Sequence, residues 1–326
     1  MLCIYNNSTD PYFNMATEDY LFHKFNDDIF MLWRNDNAII VGKHQNTLAE
    51  INLDVVRNKN IKVVRRLSGG GAVFHDLGNL NFTFIVNSTE GKLVDFQKYT
   101  LPIIEVLNSL DVPAKFEGRN DLTIDGKKFS GNAVHVLKNR VLQHGTILFA
   151  SEMKDLSDAL KVNPLKYIDK TVKSVRARVT NVSDHLKEPL DLESFKNMIM
   201  EKIISMYPDA KFYELSDYDK SIIKGIAEEK YSTWDWNYGW HAKYNFEKLI
   251  HTNGGNIEFH LIVEDGVIQK AKIFGDYFNI KETQDIEDAL IGTRHDIDSI
   301  KLKLKQFDID EYFKNISLEE LISGMF

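Results

Sequence analysis

Three consecutive glycines, Gly69 to Gly71, restrict the fold more than any other feature of this sequence. They stand between predicted strands at 61–64 and 72–74. No side chain shields their backbone amides, so the loop can wrap closely around an anionic group. It is not a P-loop, because no Gly-Lys-Ser/Thr follows, and it is not the dinucleotide fingerprint, because a strand rather than a helix comes next.

The remaining pattern mixes helices and strands without strict alternation. Asp10-Pro11 is typical of an N-cap with a first-turn proline and predicts a helix to about Phe25. Apolar periodicity predicts helices at 98–110 and 192–206, and Asp-Gly pairs at 125–126 and 265–266 predict two hairpins. Further strands are predicted at 37–41, 80–86, 122–124, 128–136, 141–149, 257–263 and 267–274. This order predicts an α+β fold rather than a doubly wound sheet.

Composition narrows the classes of protein. A length of 326 residues suggests two domains, and a net charge of −8 argues against a general nucleic-acid binder. No apolar run approaches the ~18 residues of a membrane helix. The start carries no secretory signal and Cys3 is the single cysteine, so we expect a cytoplasmic protein. A polar aromatic stretch at 232–240 and a more acidic composition after it predict domains at 1–245 and 246–326.

The chemistry around the glycines suggests an anion site. Arg65 and Arg66 precede the loop with fixed charge and forked donors, which suit a polyphosphate. A bare glycine run would be interpreted as a plain hairpin loop with solvated arginines. Two arginines, Ser68 and the His75-Asp76 pair within a dozen residues favour the functional interpretation.

Three other segments carry weaker signals. Strand alternation places Lys128, Ser130 and Asn132 on one face and Lys127, Phe129 and Gly131 on the other, although an exposed lysine pair explains this hairpin equally well. His144 stands in a mostly apolar strand, where a histidine is more often part of the core. The basic segment 170–181 is either a solvated loop or a loop that folds over a nucleotide.

Together these segments resemble the lipoate–protein ligases of the A type, which have a small C-terminal domain. The central match is the segment 65–79, from Arg65-Arg66 through the glycines to Gly78-Asn79, and the second is Asp125-Gly126-x-Lys128-Phe129-Ser130-Gly131-Asn132-Ala133, which resembles the segment with the family's essential lysine. The opening segment 7–18, the block 42–46, His144-Gly145-Thr146 and segment 174–181 follow in the expected order, so the resemblance covers nearly the whole chain.

The resemblance implies a large mixed-sheet catalytic domain of the biotin/lipoate ligase type with a smaller α+β domain. It implies two steps: lipoate and ATP give lipoyl-adenylate, and the acyl group then passes to a lysine. Lys128 is the implied catalytic residue, and Asp121 is the residue expected on the Mg²⁺ side. The residues implied to bind ATP are Arg65, Arg66, Ser68, Gly71, Ala72, Val73, Phe74, Lys128 and Arg178. Those implied to border lipoate are Gln45, Gly70, Gly71, His75, Lys128 and His144.

The implied partners are lipoyl domains of 2-oxoacid dehydrogenase E2 subunits, glycine-cleavage H protein, or both, with no nucleic acid and no membrane. Two alternatives remain: an acyltransferase that moves octanoyl or lipoyl groups between carriers, and a non-catalytic carrier-binding protein. Thioester-forming acyltransferases need an active-site cysteine, and Cys3 precedes every motif. A mere binder has no use for Lys128 and the two arginines. Biotin ligases share the fold but have a different phosphate loop.

Overall fold

The computed structural model describes residues 1–45, 47–88, 94–152, 160, 179–237, 246–264, 267–295 and 297–325. Its strands are β1 Leu2–Tyr5, β2 Ile29–Trp33, β3 Ala38–Val41, β4 Lys62–Arg65, β5 Val73–His75, β6 Asn79–Asn87, β7 Ala114–Glu117, β8 Asp121–Ile124, β9 Lys127–Leu137, β10 Arg140–Leu148, β11 Lys211–Phe212, β12 Phe246–Thr252, β13 Gly255–Glu264 and β14 Val267–Gly275. Its helices are α1 Pro11–Lys24, α2 Thr47–Glu50, α3 Leu53–Asn58, α4 Phe96–Ser109, α5 Leu192–Met206, α6 Asp217–Ile226, α7 Trp234–Asn237, α8 Gln284–Leu290, α9 Ile297–Leu304, α10 Ile309–Tyr312 and α11 Leu318–Gly324. None of these helices is long and apolar enough to cross a membrane.

A mixed sheet of eight strands forms the centre of the large domain, in the order β11-β1-β2-β6-β10-β9-β8-β7. Alternate residues of a strand point to opposite faces of the sheet, and in β2 the side chains on both faces are buried. Phe30 and Leu32 pack with α4 and α5 on one face, whereas Met31 and Trp33 face α1 on the other. The sheet is therefore covered on both sides, and the α1 side holds the cavity described below.

A second sheet of three strands lies on that same side, in the order β4-β3-β5. Its middle strand is buried on both faces: Ile40 packs with the α1 cluster, and Ile39 packs in a separate cluster with Val63 and Phe74. The glycine run connects β4 to β5 across the open end of this small sheet. The two sheets thus form the walls of one space.

The C-terminal residues build their own core. Strands β12, β13 and β14 form an antiparallel sheet that packs against the four following helices. Phe259, Tyr277 and Phe313 are among its fully buried side chains. The α+β class with a smaller second unit is therefore confirmed, whereas residues 238–245, where the predicted boundary falls, lie outside the described residues.

Local signals predicted many elements well. Asp10 caps α1 by accepting the N–H groups of Tyr12 and Phe13, and α5 spans the predicted residues. The hairpin between β8 and β9 turns at Asp125 and Gly126, with φ of 51° and 74°, as the Asp-Gly pair requires. The second predicted turn, at 265–266, lies outside the described residues.

Candidate active site

A cavity lies between the large sheet, α1 and the three-stranded sheet. The space enclosed by its lining and its open mouth together measures about 550 Å³. Seven of the residues predicted to bind ATP or lipoate line it: Arg66, Gly70, Gly71, Val73, His75, Lys128 and His144. Residues far apart in sequence are therefore brought together at one site.

The cavity runs across the strands rather than along them. Trp33 of β2 is opposite Asn81 of β6, Asn81 is opposite Thr146 of β10, and Gly131 of β9 donates its N–H to the Thr146 hydroxyl. All four residues line the cavity or its ends. Neighbouring strands lie about 4.8 Å apart, so the three spacings from Gly131 to Trp33 measure about 14 Å. The residues that line the cavity therefore span a distance comparable to that of an extended acyl chain.

Lys128 stands at the open end. Its side chain is 41% exposed and its Nζ lies 2.8 Å from Asp121 Oδ1. A Cβ placed on Gly131 would be 2.9 Å from this Nζ, so the lysine side chain lies directly over Gly131 and would shift if residue 131 carried a side chain. The predicted alternation, which put Lys128 and Gly131 on opposite faces, is wrong. An irregularity in the β8–β9 pairing, beside Phe129, brings both to the same face.

The metal prediction is left open by this geometry. The described residues contain no group of three or more His, Cys, Asp or Glu side chains arranged for a metal ion. Mg²⁺ bound to a nucleotide needs only one or two carboxylates, because phosphates and water complete its shell. Asp121 at the mouth can supply one such carboxylate, so the residues present fit a nucleotide-borne Mg²⁺.

Arg66 shapes the glycine loop from inside. Its guanidinium donates to the carbonyl oxygens of Gly69 at 2.6 Å, Gly71 at 2.9 Å and Ile40 at 3.2 Å. Gly70 adopts a φ of 91°, which favours glycine. Burial lowers the pKa of Arg66 to about 10, which leaves it a cation at neutral pH. The guanidinium thus fixes the backbone of the glycine loop against β3.

Arg65 does not line this cavity. Its side chain is almost fully buried and donates to the carbonyl oxygens of Gly42, Lys43 and Gln45 and to the Thr47 hydroxyl. Burial, and secondarily Arg66, lowers the pKa of Arg65 to about 10. The guanidinium nitrogens of Arg65 already donate to Gly42, Lys43, Gln45 and Thr47. This arrangement does not favour direct phosphate binding by Arg65, which stays a prediction.

Ser68 belongs to a buried polar chain. Arg66 Nε donates to Ser68 Oγ at 3.0 Å, and Ser68 Oγ lies 2.6 Å from His144 Nε2. His144 Nδ1 lies 2.9 Å from Glu18 Oε1, which also accepts the Thr83 hydroxyl at 2.6 Å. The prediction from sequence gave Glu18 no role, although it lies in the matched opening segment. This series of polar contacts connects the Glu18 carboxylate to the buried Arg66 guanidinium through His144 and Ser68.

The other predicted residues lie around the cavity rather than in it. Gln45 is buried, and its Oε1 accepts the Gly42 N–H at 2.9 Å, so it stabilises the turn that follows β3. Phe74 is in the core of the small sheet, and Ala72 packs against the same cluster. Arg178 lies outside the described residues, but its neighbour Val179 bridges to Lys128. Roles for these residues stay predictions.

Two models of known protein families match this chain. Residues 10–204 match the lipoyl protein ligase A/B catalytic domain and residues 241–325 match the bacterial lipoate protein ligase C-terminus.

Individual proteins give the same picture. The chain is 43% identical over 322 residues to lipoate–protein ligase 1 of Staphylococcus aureus, covering 98% of each. It resembles the structure of P. falciparum LipL1 in complex with lipoate, with a TM-score of 0.81 and 26% identity over 99% of this chain and 97% of that one. A lipoate-protein ligase A bound with ATP gives a TM-score of 0.62 at 25% identity, covering 74% of this chain and 98% of that one. With a cavity of this form and a match along almost its entire length, the chain belongs to the lipoate–protein ligase family.

Proposed function

We propose that the protein attaches lipoate to lysine side chains of lipoyl domains in an ATP-dependent reaction. The acceptors we propose are the lipoyl domains of 2-oxoacid dehydrogenase E2 subunits, glycine-cleavage H protein, or both. The observation that carries the proposal is Lys128 at the mouth of a mostly apolar cavity. That arrangement suits an acid whose carboxylate stays near the mouth while its chain lies between the sheets. The cytoplasm, which supplies ATP, is part of this proposal.

The first step makes the carboxylate reactive. A lipoate oxygen attacks the α-phosphorus of ATP, the bond to pyrophosphate breaks, and lipoyl-adenylate forms. Negative charge shifts among oxygen atoms in this step, so fixed cations and amides stabilise it. Lys128 supplies the cation at the mouth, and Arg66 fixes the backbone of the glycine loop, which also lines the cavity. Mg²⁺, held by the phosphates with Asp121 in reach, would neutralise part of the pyrophosphate charge.

The second step moves the acyl group. The acceptor's lysine amine attacks the acyl carbon, the C–O bond to AMP breaks, and an amide forms as the amine loses a proton. No side-chain nucleophile of the enzyme is required. The acceptor amine must enter through the mouth, where Lys128 is partly exposed.

The decisive assay omits one component at a time from purified protein, ATP, Mg²⁺, lipoate and a panel of acceptor domains. We expect pyrophosphate release with lipoate and ATP alone, and lipoylated acceptor only when all components are present. Acyl transfer between carriers without ATP would contradict the proposal.

Cys3 separates the ligase from a thioester-forming acyltransferase. Its side chain is fully buried, and burial raises the pKa of its thiol. We therefore expect Cys3→Ser to keep nearly full specific activity while lowering the melting temperature slightly, since a hydroxyl replaces a thiol in an apolar cluster. An acyl group trapped on Cys3 in the intact protein would move the assignment to the acyltransferases.

A further inference from the structure

The amine of Lys128 lies where the activated acyl group forms. Lys128 lines the cavity together with Asn120, Gly131 and Thr146, and its Nζ is 2.9 Å from the position that a Cβ on Gly131 would occupy. The proposed function puts the substrate carboxylate, and with it the acyl carbon of lipoyl-adenylate, beside this amine. The enzyme therefore holds a lysine of its own at the point that the acceptor's lysine must reach.

The chemistry of acyl transfer does not distinguish these two amines. An uncharged lysine amine attacks the acyl carbon of a mixed anhydride, whichever protein carries the lysine. A side chain that is already held beside the acyl carbon has a large advantage over an amine that arrives from solution. Lys128 therefore needs a neighbour that suppresses its reactivity, because an amide on Lys128 would remove the cation from the mouth of the cavity.

Asp121 is such a neighbour. Its Oδ1 lies 2.8 Å from Lys128 Nζ, at the distance of a charge-assisted hydrogen bond. An ammonium ion has no free electron pair with which to attack, and a carboxylate in contact with it stabilises the ammonium form. The two side chains are 41% and 38% exposed, so solvent weakens this stabilisation to that of a partly exposed pair, a factor of about two to five.

We infer that Lys128 is a site of self-acylation and that Asp121 protects it. In this reaction the electron pair of the neutral Lys128 amine attacks the acyl carbon of lipoyl-adenylate. The C–O bond to AMP breaks, AMP leaves with the electrons of that bond, and the nitrogen loses a proton to water as the amide forms. The modified side chain has no charge, so the same molecule can no longer support adenylation. The inference rests on the proposed function and adds a modification site to it.

The test supplies synthetic lipoyl-adenylate, so that neither ATP nor Mg²⁺ is needed, and it omits the acceptor domain. Peptide mass spectrometry then locates the lipoyl group. We expect the unaltered protein to acquire it slowly at Lys128, and Asp121→Asn to acquire it there about two- to fivefold faster. Asp125→Asn is the matched control, because Asp125 lies at the turn of the same hairpin, is 69% exposed and faces His185. Its rate should equal that of the unaltered protein.

Activity distinguishes an amide on Lys128 from adenylate that is only bound. Addition of an acceptor domain discharges bound adenylate, whereas the amide remains. The fraction of pyrophosphate-release activity that the acceptor does not restore should therefore equal the fraction of protein acylated at Lys128. Equal labelling of Lys127, which is exposed, and Lys128 would show that the amines react from solution, and it would overturn the inference.

A measurement on the unaltered protein covers the case in which Asp121→Asn does not fold. At about pH 9 a larger share of lysine amines is neutral than at pH 7, so acylation of Lys128 should be faster there. No lipoyl group on Lys128 at either pH would overturn the inference, and equal rates in Asp121→Asn and the unaltered protein would overturn the role of Asp121. Absence of pyrophosphate release from lipoate and ATP would instead overturn the proposed function.

Discussion

At the scale of single residues, the absent side chain of Gly131 leaves space for the end of Lys128. The Lys128 side chain lies over Gly131, and its amine forms an ion pair with Asp121. Neither contact buries much of Lys128, so its contribution to folding is small. Its position at the mouth is therefore a matter of chemistry more than of stability.

We expect Lys128→Ala to lower pyrophosphate release about a hundredfold to a thousandfold, since removing one preorganised donor from such a site costs roughly 3 kcal/mol or more. The melting temperature should change little. Lys127→Ala is the control, because Lys127 is exposed and absent from the cavity lining. Equal rates for the two variants would remove Lys128 from the active site.

His44 gives a prediction for pH. Burial lowers its pKa to about 3, and the charge of Lys43 adds to this, while the hydrogen bond with Asn279 opposes it. An unfolded histidine titrates near 6.5, so between these values the unfolded chain binds a proton that the folded ring does not. The contribution of neutral His44 to the free energy of unfolding is therefore fully present above about pH 6.5, and it is lost as the pH falls toward 3.

The free energy of unfolding should therefore drop below pH 6.5 with a slope of about 1.4 kcal/mol per pH unit for each such histidine. Urea unfolding at pH 7 and pH 5 measures this. In His44→Gln, whose amide can replace the donor to Asn279, the drop should be smaller by one histidine's share. The same drop in both proteins would show that His44 titrates normally.

At the scale of elements, Arg65 joins segments that no sheet connects. Its guanidinium holds the 42–47 segment, its backbone N–H donates to Asn237 Oδ1, and its carbonyl oxygen accepts the Trp236 indole N–H. A strand end, a loop and α7 thus meet at one buried cation. Arg65, which the sequence predicted to bind phosphate, thus connects the segments that lie next to the glycine loop.

We expect Arg65→Ala to lower the free energy of unfolding by at least about 3 kcal/mol, because several buried carbonyl oxygens lose their donors. Arg65→Lys should recover little, since one ammonium cannot reach all of these acceptors. Lys62→Ala on the same strand is the control: its ion pair with Asp10 is exposed and worth about 0–1 kcal/mol. Denaturant unfolding of the three variants measures how much each lowers the free energy of unfolding. If Arg65→Ala lowered it only slightly, water would have replaced the guanidinium as the donor to the buried carbonyl oxygens.

Sequence reasoning predicted elements where a local signal decides the conformation. Asp10-Pro11 and Asp125-Gly126 fix a helix start and a turn by their own chemistry. It missed the displacement beside Phe129, because a bulge depends on how two strands pair. It also missed that Arg65 and Arg66 face opposite ways, since the direction of each guanidinium follows from tertiary contacts.

At the scale of the whole molecule, the small C-terminal unit rests against the glycine loop. A Cβ on Gly69 would be 2.3 Å from the Tyr277 carbonyl oxygen, and the Tyr277 ring stacks on His44 at 4.8 Å. Arg119 donates to the Gly254 carbonyl oxygen and lies 4.4 Å from the Phe278 ring centre. Any movement of this unit therefore changes what supports the loop.

We expect the C-terminal unit to move during the reaction, because the adenylate must be covered and the acceptor must later reach it. Lys43 Nζ lies 2.5 Å from Glu282 Oε1 across the interface, so a zero-length carbodiimide should join them. The yield of this cross-link, measured by mass spectrometry, should fall when lipoate and ATP are added. An unchanged yield at saturating ligand would contradict the movement.

Two ion pairs within single units are the internal controls. Lys202–Glu105 lies within the large domain and Lys272–Glu287 within the small one, each with an N–O distance of 2.6 Å. Their yields should stay constant, which separates movement between the units from a change in reagent access.

The direction of the cavity also limits which acids fit. Because it crosses the strands, the distance from Lys128 to the wall at Trp33 is a multiple of the strand spacing, and backbone hydrogen bonds set that spacing. Side-chain changes along the way can widen or narrow the passage but cannot stretch it. The strand spacing therefore sets the length of the acyl chain that the cavity accepts. Only a substitution at the end wall, at Trp33, would change that length.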